Sequence, residues 1–258
     1  MRTKIFTGAI LLLISTSISA QFVGDGSTPQ AAKTPAKPMK GTFTLKFGAA
    51  MPVSNFGITP KRVSLPQYSS GVMGAKTGFF AEMGFGMSLS NPDKMVGFYY
   101  YPIMAAYWQT SIDWNKLGGF FTDKTIYTKP VSAMDIGQRY GIVVKPIKDL
   151  SVALYYRPGL IIPFNFEVSH DNLAQGEKFR FTGTMATGKS APVFMMSHTP
   201  GLSVRYKMAS ISFEGYFTRP TYEVHYQDID INPLMAVDLS TTGKIPVKMF
   251  LISLALNL

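Results

Sequence analysis

The sequence predicts an all-β fold, an antiparallel up-and-down transmembrane β-barrel of about eight strands. Three observations support this prediction. Apolar side chains recur at every second position along most of the chain after residue 40, as in β-strands with one apolar face. The other face of each segment holds Gly, Ser, Thr and Ala with few charges. Short and long connections alternate between the segments, and transmembrane barrels have short turns at one end and long loops at the other.

The first 40 residues differ in texture from the rest of the chain. Arg2 and Lys4 precede an apolar run over 5–14, and small residues follow as far as Ala20. This order predicts a secretory signal peptide, 1–20, cleaved after Ala20. Residues 21–40 are rich in Gly, Pro, Ala, Thr and Lys, so we expect a flexible periplasmic leader there. The barrel domain is expected over 41–258.

Composition narrows the class of protein further. Charged residues make up 16% of the chain, whereas an average soluble domain has about 25%. The chain has no cysteine, so neither a disulfide nor a lipid-modified cysteine is expected. The 25 basic residues outnumber the 15 acidic ones, but the excess is dispersed and no nucleic-acid motif accompanies it. We therefore expect no nucleic-acid partner.

Eight segments carry the alternation, and several are as long as the roughly 9–11 residues of a tilted transmembrane strand. They are 42–51, 77–89, 95–108, 134–144, 151–162, 202–206, 211–218 and 250–258. The segment 95–108 is apolar on both faces, which leaves its register open. Pro102 and Pro158 fall inside predicted strands, and each is expected to mark a bulge or to lie beyond the membrane.

The connections between these segments are unequal in length. The short ones, around 90–94, 146–150 and 207–210, are expected to be periplasmic turns. The long ones, 52–76, 115–131, 165–192 and 221–244, are expected to be extracellular loops.

The polar face indicates which side of the predicted barrel meets lipid. A soluble barrel would cover its outer face with Lys and Glu, whereas here the polar face holds mainly small residues, which suit a crowded lumen. We therefore expect the apolar rows to face outward. A soluble periplasmic all-β domain, with the apolar rows turned inward, is the alternative.

With its signal peptide, its alternating strands and a final strand ending Leu254-Ala255-Leu256-Asn257-Leu258, the chain resembles the small bacterial outer-membrane β-barrels, similar to OmpA-type transmembrane domains and porin-like barrels. The resemblance implies the outer membrane of a Gram-negative cell, contact with outer-membrane lipid and lipopolysaccharide, and insertion by the barrel-assembly machinery. Leu258 departs from the aromatic residue that commonly ends such chains. The resemblance implies no particular ligand for the loops.

Nine charged residues fall on the expected inner face. They are Lys46, Glu82, Asp135, Arg139, Lys145, Arg157, Arg205, Lys207 and Glu214. Lys46 with Glu82, and Arg205 with Glu214, lie on neighbouring predicted strands. A network of ion pairs filling the lumen is the first interpretation, because an eight-stranded barrel is just wide enough for side chains to fill. The second is a narrow anion-preferring porin, since six of the nine are basic.

Two aromatic residues near predicted strand ends, Trp108 and Tyr206, are expected at the membrane interfaces, where Trp and Tyr are enriched.

Catalysis is not expected from the sequence. Ser169-His170 and Ser197-His198 are the only adjacent serine–histidine pairs, and neighbours on a strand point to opposite faces. The histidines lack metal-ligand spacing, so neither a metal nor a cofactor is expected. The sequence thus predicts an integral barrel with a structural, surface-interaction or small-solute role. A lipid-modifying enzyme, with a serine and a histidine brought together by the fold, is a further alternative.

Overall fold

The structure of the protein is a computed structural model. It describes residues 41–53, 56, 75–89, 95–112, 127–147, 149–172, 177–185, 195–229 and 237–258. The predicted signal peptide, 1–20, and leader, 21–40, lie outside the described residues. Among the described residues, no helix has the length and apolar character needed to cross a membrane.

The described residues form thirteen strands, which we number in chain order. They are β1 (Gly41–Pro52), β2 (Gly78–Ser88), β3 (Val96–Thr110), β4 (Tyr127–Lys129), β5 (Val131–Ile147), β6 (Leu150–Pro163), β7 (Phe166–Asn172), β8 (Glu177–Met185), β9 (Met196–Tyr206), β10 (Ala209–Thr218), β11 (Thr221–Ile229), β12 (Val237–Lys244) and β13 (Val247–Asn257).

Eight of these strands close into an antiparallel barrel in the order β1-β13-β10-β9-β6-β5-β3-β2. Each strand pairs with the preceding and the following barrel strand along the chain, and β13 closes the ring against β1. The predicted up-and-down barrel of eight strands is therefore confirmed. All eight predicted segments correspond to barrel strands. Closure leaves no unpaired strand edge in the wall.

The other five strands form a second sheet in the order β12-β11-β8-β7-β4. This order repeats that of β13, β10, β9, β6 and β5, so each strand of the second sheet precedes or follows its own barrel strand. Short joints such as Pro130, Arg219-Pro220 and Ile245-Pro246 separate several of these pairs. The predicted long connections 115–131, 165–192 and 221–244 therefore contain strands of the second sheet. Their extended segments pair with one another, which local sequence patterns do not reveal.

The barrel has two different ends. At the turn end, strands β5 and β6 are joined through Asp149, and β9 and β10 through Lys207-Met208. Asp149 and Lys207 have φ angles of 71° and 53°, because tight hairpin turns need a left-handed residue. Leu258 also lies at this end, where its carbonyl accepts a hydrogen bond from the Phe43 amide at 2.9 Å. The second sheet continues from the opposite end, which we call the sheet end.

The apolar rows face outward from the barrel. Ile103, Leu154 and Leu254 are each about two-thirds exposed, at 67%, 65% and 65%. The interleaved residues on the same strands, such as Ala106 and Ala255, are buried inside. This distribution is the inverse of a soluble barrel, so the alternative of a soluble domain with the apolar rows turned inward is contradicted.

Charged residues mark both edges of the apolar outer face. On β10 the outward positions run from Ala209 to Phe217, with Lys207 before them and Arg219 after them. This stretch of nine residues matches the roughly 9–11 that a tilted strand needs to cross a bilayer. Beyond the edge, the second sheet exposes polar side chains such as Arg180 and Glu223. The apolar outer face thus ends where the second sheet begins.

A bulge at Pro102 explains why segment 95–108 looked apolar on both faces. The register of β3 against β5 shifts between Tyr101 and Met104, and the extra residue exchanges the inward and outward positions. Tyr101 faces inward before the bulge, and Met104 faces inward after it. At Pro158 the register of β5 against β6 is the same on both sides of the proline, so Pro158 marks no bulge. The other expected position of Pro158, beyond the membrane, stays a prediction.

Leu202 tests the assignment of the outer face, because it lies near the middle of the apolar stretch, opposite Phe213. We expect Leu202→Arg to lower the free energy of unfolding by about 2–4 kcal/mol, the cost of a charge at mid-membrane on a barrel. Thr242→Arg, on the exposed polar side of the second sheet, is the matched control and should change it little. Urea unfolding in lipid vesicles measures both variants. Equal effects would contradict the assignment.

Candidate functional site

The lumen contains a network of six buried charges centred on Glu82. Lys46 and Glu82 are direct cross-strand partners on β1 and β2, and the Lys46 Nζ lies 2.9 Å from the Glu82 carboxylate. Arg157 approaches the other oxygen of that carboxylate with its Nε at 3.2 Å. Arg139 donates a hydrogen bond to the same carboxylate. Four barrel strands therefore meet at one side chain.

Two further carboxylates complete the network. Glu214 accepts a hydrogen bond from Lys46 Nζ at 3.0 Å and lies 3.7 Å from Arg139. Asp135 lies 3.1 Å from Arg157 Nη1 and accepts a hydrogen bond from the Ser197 hydroxyl. Arg157 also donates a hydrogen bond to the Thr199 hydroxyl at 3.2 Å. The lumen therefore supplies each ion with partners from several strands.

The network is balanced in charge and removed from water. Its cations are Lys46, Arg139 and Arg157, and its anions are Glu82, Asp135 and Glu214. None of the six is more than 5% exposed. Burying charge in this way is costly unless every ion is paired. Equal numbers of the two signs give the network no excess that would attract anions.

Tyr155 packs against the cations of the network. The Arg139 guanidinium lies 4.5 Å from the centroid of the Tyr155 ring, and the Lys46 ammonium lies 5.5 Å from it. The cations are thus attracted to the ring face in addition to their carboxylates. Strand periodicity placed Tyr155 on the inner face, but the sequence prediction of a lumen site considered only charged residues and so missed it.

Glycines make room for these side chains. A Cβ added to Gly159 would lie 2.0 Å from Asp135 Oδ1, and one added to Gly201 would lie 2.5 Å from the Tyr155 ring. The glycines on the inner face therefore let large side chains cross the lumen.

A second, apolar layer fills the lumen near the sheet end. Trp108 and Tyr216 pack edge to face with their ring centroids 5.8 Å apart. Phe80, Met249 and Leu251 are buried in the same cluster, which continues into the second sheet. The lumen is thus filled by two layers: the ionic network, and an apolar layer between that network and the sheet end.

Three of the nine charges predicted to face inward lie outside the network. Arg205 is partly exposed near the turn end, where its Nε donates a hydrogen bond to the Lys207 carbonyl at 2.7 Å. Arg205 and Glu214 lie on neighbouring strands as predicted, but the cross-strand partner of Arg205 is Ser210, so the two charges do not meet. Lys207 lies in the turn itself, and Lys145 is partly exposed close to the same end. Without these three cations, the predicted basic excess disappears.

The predicted interfacial position of Trp108 is also wrong. Trp108 is fully buried inside the barrel, because the bulge at Pro102 turns even-numbered residues of β3 inward. Its neighbour Tyr107 faces outward at the sheet end and packs against Phe164, with ring centroids 6.4 Å apart. Tyr206 is exposed at the turn end, and its place at an interface stays a prediction.

The serine–histidine pair on β9 is split across the barrel wall. Ser197 is buried and hydrogen-bonded to Asp135, whereas His198 is exposed and stacks on Tyr156. This pair therefore cannot act as nucleophile and base. The side chain of His170 lies outside the described part of the chain. Among the residues that the structure describes, no cluster of histidine and acidic side chains could hold a metal ion.

Comparisons with known proteins identify no family. No family model matches the chain, and no curated protein matches it. Among solved structures, a major outer membrane protein from Thermus thermophilus is similar, with 10% sequence identity and a TM-score of 0.41. The similarity covers 84% of this chain and 99% of that one.

A substitution of Arg157 tests whether the ion-pair network stabilises the barrel. We expect Arg157→Met to lower the free energy of unfolding by about 3–5 kcal/mol, since it leaves the buried carboxylate of Asp135 without a cation and the network with one excess negative charge. The double variant Arg157→Met/Asp135→Asn restores equal charge and should be less destabilised than the single one.

The control for this test is Arg205→Met, which removes a partly exposed cation outside the network. We expect it to change the free energy of unfolding by no more than about 0.5 kcal/mol. Urea unfolding in vesicles measures all three variants. A double variant less stable than Arg157→Met would contradict charge balance as the reason for stability.

Proposed function

We propose that this protein is a non-conducting barrel of the bacterial outer membrane that holds a β-sheet at the cell surface. The observation that supports this most strongly is the filled lumen. Six buried, mutually paired ions lie beneath a layer containing Trp108 and Tyr216. Because a water-filled channel needs a polar, hydrated interior, the apolar layer favours a closed barrel over the alternative of a narrow anion-preferring porin.

The outward apolar rows support the membrane location. Every backbone polar group in a bilayer needs a partner in the chain, and a closed barrel meets this requirement with strands alone. The short turns that the structure describes, at Asp149 and at Lys207-Met208, lie at one end, so we place that end in the periplasm and the second sheet outside the cell. In this orientation the barrel is an OmpA-like anchor, in contact with outer-membrane lipid and lipopolysaccharide.

A surface-interaction or structural role follows from this arrangement. The second sheet shares its apolar core with the sheet end of the barrel through residues such as Phe166, Phe181 and Tyr222. Its other face presents polar groups, including the ion pair of Arg180 with Glu167 at 3.4 Å. A sheet that is fastened to a rigid barrel in this way offers a fixed polar surface to partners outside the cell.

Planar-bilayer recording tests the closed lumen. We expect the wild-type protein to show no steady ion conductance at either polarity. Lys46→Ser/Glu214→Ser removes one pair of opposite charges, and Trp108→Ala/Tyr216→Ala opens the apolar layer. Each double variant should stay closed, because the other layer still fills the barrel. The variant with all four substitutions should conduct.

A steady, anion-selective conductance of the wild-type protein would overturn the proposal and favour the porin. Heat-modifiable migration on gels is the control for folding of every variant.

A further inference from the structure

The outer face of β10 and β13 changes from apolar to basic within one residue step at the sheet end. Phe217 on β10 is opposite Lys248 on β13, and Arg219 is the next outward residue after Phe217. Arg219 is exposed and Lys248 is half-buried. Within the described ranges, neither cation forms an ion pair. Two cations that pair with no described carboxylate therefore border the apolar face.

Below these cations, aromatic rings cover the outer face of β10 and β13. Phe213 and Phe250 stack with ring centroids 6.5 Å apart, and Gly215 is opposite Phe250. A Cβ at Gly215 would lie 2.9 Å from the Phe217 ring, so the ring occupies the space that the glycine leaves. Phe213, Phe217 and Phe250 remain 39–41% exposed. We call these three rings, with Gly215, Arg219 and Lys248, the aromatic–basic patch.

The patch combines the two features that a phosphorylated lipid presents. Its rings offer apolar contact to an acyl chain, and its two cations lie at the edge where head groups begin. Arg and Lys bind phosphate oxygens through charge-assisted hydrogen bonds. Basic residues next to a membrane attract anionic lipids. The first described carboxylate of β11, Glu223, lies on the second sheet beyond the Arg219-Pro220 joint. It is therefore not part of the patch.

We propose that the aromatic–basic patch binds a phosphorylated lipid of the outer leaflet, with an acyl chain along Phe213, Gly215 and Phe217 and a phosphate between Arg219 and Lys248. This inference rests on the membrane location proposed above and names the lipid chemistry that the barrel surface selects. The site lies on the outside of the wall, so it is independent of whether the lumen conducts.

Lipid retention by the folded full-length protein tests the proposal. Native mass spectrometry of the protein in detergent would compare phosphatidic acid with diacylglycerol carrying the same acyl chains. We expect wild-type protein to retain phosphatidic acid preferentially. Arg219→Gln/Lys248→Gln should weaken that binding by about ten- to thirty-fold, since each cation near a membrane contributes comparably. The matched control, Lys145→Gln/Lys207→Gln at the turn end, should retain the lipid like wild type.

Two further measurements distinguish binding of the whole lipid from binding of its phosphate alone. Gly215→Leu leaves both cations in place and should weaken the binding of phosphatidic acid by displacing the Phe217 ring, which a Cβ at Gly215 would approach within 2.9 Å. Inorganic phosphate at the same concentration should fail to displace the lipid. Displacement by inorganic phosphate, equal retention of diacylglycerol, or the same loss in the turn-end control would each overturn the proposal. A wild-type chain that is not heat-modifiable on gels would instead count against the membrane barrel itself.

Discussion

Hydrocarbon offers no partner to a backbone N–H or C=O group, and this constraint underlies the rest of the structure. Strands satisfy it only by closing into a ring, as the eight barrel strands do. Once the wall is closed, alternate side chains point to hydrocarbon or to the lumen, so polar groups can only lie inside. The six paired ions around Glu82 follow from that division, because unpaired charge inside so narrow a barrel would be unstable.

The two layers fill the lumen without leaving a charge of the network unpaired, and they do so in different ways. Near its middle, ions from several strands neutralise one another and bind hydroxyls such as Ser197 and Thr199. Towards the sheet end, Trp108 and Tyr216 exclude water by packing. The apolar layer continues into the second sheet, which therefore extends the barrel core beyond the membrane. In the function proposed above, the anchoring of the protein, the closed lumen and the outer surface therefore depend on one continuous interior.

Much of this could be predicted from the sequence, for a physical reason. Period-two alternation is a local property of a strand, so the eight barrel strands and the inward position of Lys46, Glu82, Asp135, Arg139, Arg157 and Glu214 follow from counting residues. Counting fails where the backbone breaks the alternation. The bulge at Pro102 exchanges the inward and outward positions in the second half of β3. Trp108 therefore faces the lumen and not the membrane interface, where it was expected. Arg205 alternates correctly but lies too near the turn end to reach Glu214.

By itself, the sequence determined the barrel, its approximate strand count and which face of each strand is apolar, since these depend on neighbours along the chain. Only the tertiary structure decided which charges meet, because the ion pairs join residues from distant strands whose heights depend on the register of the whole ring. It also decided that 165–192 and 221–244 contain strands of a second sheet. The alternation of apolar and polar residues is weak in those segments. They form a sheet by pairing with one another, in the same order as the barrel strands to which they are joined.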